Sequence, residues 1–588
     1  MILGYSRKSP LKRFQIPIKA KKINIHMLLI ATSSLLFASN SGAQSLPAEI
    51  PGSADPARIN QRMQQSIENK EQEIVPPKPS DSSTEIPIAQ EGFILKEVKI
   101  TGMSIFTQSD LQPLLDEYIN RKTDLNVLNH LAKRITSLYR QEGYFISRAV
   151  IPEQEITEEG SVIIRVIEGR VNSVIIDDPE NLLSNDKLGT INGIAQFIKQ
   201  SVPLHSPTIE RYLLLLNDAP GVFVQSILSA PKDENAEPGS IDILLKVQST
   251  PSKALISYNN HGSRYVGPHQ VEAIWNTGNV FTTLDSLTLQ VGTAIPMSEV
   301  TFVSAQYRLP LSTSGLTAFS SLSYSNSEPG HTLKALEVES DSTLAEVGLS
   351  YPLIRNRGES LEVSGSFNLQ NSATEFLDEE LIDDKVRYIK TELYYQDTDL
   401  TLGLELRHGL NVLSATKTGS SNLSREQGRS EFFSAQANVA HTKDFNNDLA
   451  LKSKAAAQFA PHPLLSSQEF GYGGTNYGRA YDPSEITGDS GVKLALEAQY
   501  LGIDIVEIAE QPLSVTPFAF YDIGKVWNQE QSIKPQSAAS TGLGLHYNHN
   551  NKLYGTVQVA WPLTKEVSTP TMNNQNSPRV LFSANSYF

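Results

Sequence analysis

The 588-residue sequence predicts a β-barrel membrane protein: a 16-stranded antiparallel transmembrane barrel over residues 252–588, preceded by two small α+β units and one isolated helix. Three observations predict it. An export signal opens the chain. No stretch supplies the roughly 18 consecutive apolar residues that a spanning helix needs. The last 337 residues alternate apolar with small or charged positions, segment after segment, between turns rich in Gly, Asn, Ser and Asp.

Residues 1–43 read as the signal. Arg7, Lys8, Lys12, Arg13, Lys19, Lys21 and Lys22 form a basic stretch without an acid, followed by the apolar core Met27–Ala38. Ser41-Gly42-Ala43 then supplies a small-residue cleavage site, and the core is too short to span a bilayer. Its removal takes seven positive charges from a net −15 and leaves a mature chain at −22.

Residues 53–75 are expected to form a single helix. Asp55 fits the N-cap and Pro56 the first helical position, where a missing N–H is harmless. Ile59, Met63 and Ile67 make a narrow apolar stripe on a polar cylinder, so the helix is expected to sit against a wet wall or to stay mobile. Residues 76–92, rich in Pro and Ser, read as an extended linker. Two copies of a strand–helix–helix–strand–strand pattern follow, at 93–170 and 171–250. Repeated small α+β units in an exported chain suggest periplasmic interaction modules.

From residue 252 the period is two. In Leu400–Leu406 (LTLGLEL), four leucines share one face while Thr401, Gly403 and Glu405 share the other, as in a strand between lipid and water. About 16 strands would take about 21 residues each with their connections, which suits tilted strands of about ten residues. A soluble sandwich or propeller is the alternative, but no blade repeat appears. The final alternating strand ends in Phe588, the kind of terminus that bacterial outer-membrane barrels use as an assembly tag.

Composition excludes several classes. An acidic chain lacks the basic face of a nucleic-acid binder. With no cysteine there is no disulfide, thiolate catalyst or zinc ribbon. Gly488-Asp489-Ser490-Gly491 mimics a protease nucleophile tetrapeptide, but Val492-Lys493 replaces the usual Gly-Pro, and a triad is defined by geometry. Gly471–Gly478 is not a phosphate loop, because Asn476 breaks the glycine spacing. His546 and His549 would face opposite sides of a strand, a poor metal pair, and a solvated loop or rim is expected for both. No catalytic, cofactor or metal residue is assigned.

Signal, helix, proline-rich linker, two βααββ modules and a barrel ending in Phe together resemble the two-partner secretion transporters (TpsB family; haemolysin and filamentous-haemagglutinin secretion/activation proteins). Two motifs carry the likeness. Gly471–Gly491 (GYGGTNYGRAYDPSEITGDSG) resembles the family's loop that folds back into the barrel lumen. Phe520-Tyr521-Asp522-Ile523-Gly524 resembles its F-x-D-x-G strand. The loop's usual core, V-R-G-F or V-R-G-Y, here reads Gly478-Arg479-Ala480-Tyr481, keeping the Arg and the aromatic. The resemblance implies two periplasmic POTRA modules, a 16-stranded outer-membrane barrel and a helix resting in the pore. It also implies a large exported partner with a haemagglutinin-type N-terminal secretion domain, and no cofactor. A general barrel-assembly factor, a passive porin and a surface enzyme are the alternatives.

Phe520, Asp522 and Gly524 share strand parity. A carboxylate facing lipid would cost several kcal/mol, so Asp522 is expected to face the lumen. Arg479 supplies a fork-shaped donor for it, and Tyr481 follows in the same loop. Gly471, Gly473 and Gly474 permit the tight backbone such a loop needs. In a water-filled lumen the ion pair would be screened to about 1 kcal/mol.

Overall fold

The computed structural model describes residues 51–588 except 69–91, 156–159, 184–188, 378, 446–447, 502, 509–510, 569 and 571–573. The signal (1–43), residues 69–75 of the expected helix and the linker up to residue 91 lie outside the described residues.

Alternation of apolar and small polar residues closes the C-terminal region into a barrel. Sixteen antiparallel strand positions run from Lys253–Asn259 to Arg579–Tyr587, with Ser490–Tyr500 continued by Ile503–Ile508 as one position. The last strand pairs with the first, Ser583 with Asn259 through Tyr587 with Leu255. Phe588 extends this seam by exchanging backbone hydrogen bonds with Ala254 at 2.9 and 3.2 Å. The strand Leu400–Gly409 shows the two-faced pattern: Leu402, Leu404 and Leu406 are exposed on the lipid side, while Glu405 turns inward to pair with Arg407.

Each module pairs its first and last strands in parallel within a three-stranded sheet, with the last strand at the centre. In the first, Glu97–Thr101 pairs with Ser161–Ile167, flanked by Arg148–Val150. In the second, Arg170–Asp177 pairs with Ser240–Ser249, flanked by Val222–Ser229. The amphipathic helix Leu125–Gln141 is capped by Asp124 and buries Leu131, Ile135 and Tyr139 under the first sheet. Thr190–Gln200 buries Ile191, Ile194 and Ile198 in the same way under the second.

The second module is joined to the barrel by a shared core. In the turn before Ser286, Leu284 leaves the barrel and enters the module's apolar cluster, only 4% exposed at φ +68°. Asp285 shapes that turn by accepting from the N–H groups of Val280, Phe281 and Thr282 at 2.6–2.9 Å. Two further turns dock on the module's helix Ser206–Asn217: Arg211 donates to the carbonyls of Ser314 and Pro352, and Asp218 binds Arg355 beside them. These three turns face the module, which is periplasmic in such proteins, so the long connections lie on the outer side.

The helix Pro56–Glu68 lies inside the barrel. Its N-cap is Asp55, whose Oδ1 accepts the Arg58 N–H at 3.0 Å. The expectation of a wet wall is corrected: Ile59 and Met63 are 1% and 6% exposed and pack on Val266, Val300, Phe302 and Leu333. The barrel wall makes this possible by presenting small polar side chains beside that apolar patch. Ser323 Oγ donates to Asn60 Oδ1 at 2.6 Å, and Asn60 Nδ2 donates to the Ser342 carbonyl at 3.1 Å. Ser325 reaches the Pro56 carbonyl, and Gln290 the Met63 carbonyl. Serines keep the wall low enough for a helix to approach and satisfy polar groups that would otherwise be stranded without water.

Candidate functional site: a loop pinned inside the barrel

Between Phe459 and Ser490 the chain does not stay outside. It re-enters the lumen as a hairpin, Phe470–Tyr472 paired with Ile486–Gly488. The tip is closed on itself by Gly473 N–H to Tyr477 O at 3.1 Å and Gly474 N–H to Tyr481 O at 3.2 Å. Gly473 has φ +125°, and a Cβ there would lie 2.0 Å from the Asp482 carbonyl oxygen, so no other residue fits without moving the hairpin. Gly471 stands in the hairpin strand, and Gly474 follows at φ +92°.

The strand Gln511–Trp527 alternates as its sequence parity requires. Phe520 and Asp522 are 4% and 0% exposed, whereas Tyr521 and Ile523 are each 41% exposed on the lipid side. Arg479 meets Asp522 through two side-chain contacts, Nε to Oδ2 at 3.1 Å and Nη2 to Oδ1 at 2.9 Å. The same carboxylate accepts the backbone N–H groups of Gly478 and Arg479 at 3.1 and 3.0 Å. Arg479 Nη1 pairs with Glu497, and its guanidinium carbon lies 3.7 Å from the Phe520 ring centroid. Tyr481 is fully buried, its hydroxyl 3.0 Å from the carbonyl oxygens of Ala539 and Lys565. Around Arg479 the lumen is therefore not aqueous, and the expected screening is corrected: the pair is desolvated, stacked on an aromatic face and tied by backbone amides.

Sequence reasoning missed Glu497, Tyr472 and Ser540, the last standing opposite Asp522 and donating its hydroxyl to Asp522 Oδ2 at 3.4 Å. Glu497 stands opposite Phe520 in the neighbouring strand, at the same inward parity as Lys493 and Ala495, and a charge at that parity was the available signal. The environment expected for His546 is also corrected. It lies on the strand Gln536–His549 facing inward, 3.0 Å from Glu497 and 2.9 Å from Thr556, stacked on Phe518 at 4.3 Å. His549 ends the same strand. Ser490, the serine of the protease-like tetrapeptide, is buried, and its Oγ accepts the Ala460 N–H at 3.0 Å.

A closed barrel with lipid-facing leucines, periplasmic α+β modules and a lumen occupied by a helix and a folded-back loop define an outer-membrane β-barrel transporter. The sequence matches the family "Haemolysin secretion/activation protein ShlB/FhaC/HecB" across residues 239–547 and the ShlB-type POTRA domain across 93–169. The first match spans more than half of the chain, so the chain belongs to that family: it is an outer-membrane two-partner secretion transporter that exports a secreted protein partner.

Similar proteins agree. The heme/hemopexin transporter protein HuxB of Haemophilus influenzae is 24% identical over 507 residues, covering 81% of this chain and 85% of that protein. The outer membrane transporter CdiB of Dickeya dadantii is 20% identical over 493 residues, covering 80% and 83%. Among solved structures, CdiB from Escherichia coli superposes with a TM-score of 0.69 at 18% identity, over 92% of this chain and all of that one. CdiB from Acinetobacter baumannii gives 0.61 at 17%, over 90% and 97%. These likenesses concern the fold.

Proposed function

We propose that the exported partner is a large exoprotein with a haemagglutinin-type N-terminal secretion domain, captured unfolded by the POTRA modules and passed through the lumen once the helix Pro56–Glu68 leaves it. Capture rests on strand addition. Val222–Ser229 is an edge strand whose Phe223, Ile227 and Leu228 are 42–45% exposed; its outer edge pairs with no other strand, although the Asn217 side chain binds the Val224 N–H and carbonyl there at 2.6 and 3.0 Å. An extended chain can gain main-chain hydrogen bonds and apolar contacts there together.

The observation that carries the reading is how the two lumenal elements are held. The helix is fixed by hydrogen bonds to wall serines, and the loop by the Arg479–Asp522 pair; neither is fused into the barrel sheet. We assign Arg479, Tyr481, Phe520, Asp522 and Gly524 to pinning the loop, and Gly471, Gly473 and Gly474 to its backbone shape. No nucleotide or metal step is needed, since folding of the partner outside can bias its movement. Two deletions test the reading. Removing residues 56–68 is expected to raise single-channel conductance in planar bilayers, and unchanged conductance places the helix outside the conducting path. Removing residues 93–168 is expected to abolish export while the barrel still inserts. Full export would make the first module a spacer.

A further inference from the structure

The tetrapeptide Gly488–Gly491 has no part in the transport reading, yet its Asp489 sits where three outer connections converge. Asp489 is fully buried. Its Oδ1 accepts the Leu464 N–H at 2.7 Å and lies 2.5 Å from Arg425 Nη1. Its Oδ2 accepts the Gln529 N–H at 2.8 Å. Asn528 Oδ1 in turn accepts from the Asp489 N–H at 3.2 Å and from Arg425 Nη2 at 3.0 Å. One carboxylate thus ties together the connections 410–432, 460–489 and 528–535.

Arg425 continues this network inward. Its Nη1 lies 3.2 Å from Glu469 Oε1, and the other Glu469 oxygen lies 3.1 Å from Arg58 Nη2 on the lumenal helix. Arg58 Nη2 also donates to the Ser466 carbonyl at 2.5 Å, and Ser466 Oγ donates to Asp55 Oδ2 at 2.5 Å. Gln61 reaches the Ser467 carbonyl at 3.1 Å. Charges alternate from Asp489 through Arg425 and Glu469 to Arg58, with none of the four side chains more than 8% exposed. In so dry a chain each charge depends on its neighbours, because losing one strands another without solvent. The segment Ser466–Glu469 therefore holds the helix only as firmly as Asp489 and Arg425 hold that segment.

We propose that Asp489 and Arg425 form an outer hub that secures the helix through Glu469, so that opening of the outer connections and release of the helix are one coupled step. This rests on the reading of the helix as a plug. Coupling of this kind is reciprocal. The outer loops should loosen when the helix is removed, and the helix should loosen when the hub is broken at residues that do not touch it.

The chain has no cysteine, so Met63→Cys places a single thiol in the seated face of the helix. Its rate of maleimide labelling in proteoliposomes reports release. Adding Arg425→Ala or Asp489→Ala is expected to raise that rate about tenfold, equivalent to about 1.4 kcal/mol of lost seating. Retention of heat-dependent gel mobility shows that each variant has assembled. If the alanine variants do not assemble, Asp489→Asn, which keeps the side chain's volume and sits at a residue that does not touch the helix, carries the test with the same expected rise. Reciprocally, Arg58→Ala should increase protease cleavage within 460–469. Unchanged labelling in assembled Arg425→Ala, Asp489→Ala or Asp489→Asn overturns the hub. Rapid labelling of Met63→Cys alone overturns the plug reading, and the hub with it.

Discussion

Tyr472 and Gly524 share one space: a Cβ on residue 524 would lie 2.2 Å from Tyr472 Cδ2, so the ring of the inward loop rests directly on strand backbone. Tyr472 is fully buried there, beside Tyr481 at a ring separation of 6.2 Å. The glycine that closes F-x-D-x-G is thus a seat for the loop. Gly524→Ala should push the ring away at a cost of about 1–3 kcal/mol, the usual range for overpacking. The expected result is a barrel that assembles but secretes poorly. Normal secretion by this variant would show that the loop does not need its seat.

Arg479 and Asp522 should couple strongly. Removing one partner from a desolvated pair costs about 3–5 kcal/mol. Arg479→Ala and Asp522→Ala should each impair secretion or gating, and the double variant should be far less impaired than their sum. A double-mutant cycle on secretion and conductance measures this; simple additivity would sink the pairing. The exchange Arg479→Asp with Asp522→Arg is expected to restore little. Two backbone N–H groups point at position 522, and they cannot bind a guanidinium.

Leu284 is the residue that the barrel lends to the second module. Leu284→Ala should cost about 2–5 kcal/mol of core packing at that junction. Faster proteolytic separation of module from barrel, with insertion intact, is the expected outcome. An unchanged cleavage rate would mean that the docked arginines alone fix the module.

Asp242 supplies a pH-dependent term in the same module. Hydrogen bonds from Ser173, the Lys232 N–H and Asn172 hold its carboxyl at about 2, below its ordinary 3.8. A lowered folded-state value stabilises above the unfolded value and loses that contribution as pH falls through the folded one. The melting difference between the native chain and Asp242→Ala should therefore be constant above pH ~4 and shrink towards pH ~2. A difference that persists below that range would assign the effect to packing alone.

Local chemistry made much of this legible before folding was considered. Strand parity placed Asp522 inward, because a carboxylate in lipid is too costly, and Leu402, Leu404 and Leu406 faced lipid for the converse reason. Helical period and a capping Asp marked Leu125–Gln141, and Asp55-Pro56 marked the start of the lumenal helix. Period and parity are properties of neighbouring residues, so one sequence suffices to read them.

Contacts between distant segments were not legible. Nothing near Leu284 indicates that a barrel turn completes another module's core, and nothing near Ser323 or Ser342 indicates that these small residues make room for a helix more than 260 positions earlier. The dryness around Arg479 was likewise invisible. Whether an ion pair is screened depends on which side chains close over it, here Phe520, Tyr472 and Tyr481 from two separate segments. Neighbouring residues suffice to encode the alternation that makes a barrel and the parity that sorts lipid from lumen. What fills the lumen, and how tightly, follows from the folded chain, because burial is set jointly by segments that meet only after the barrel closes.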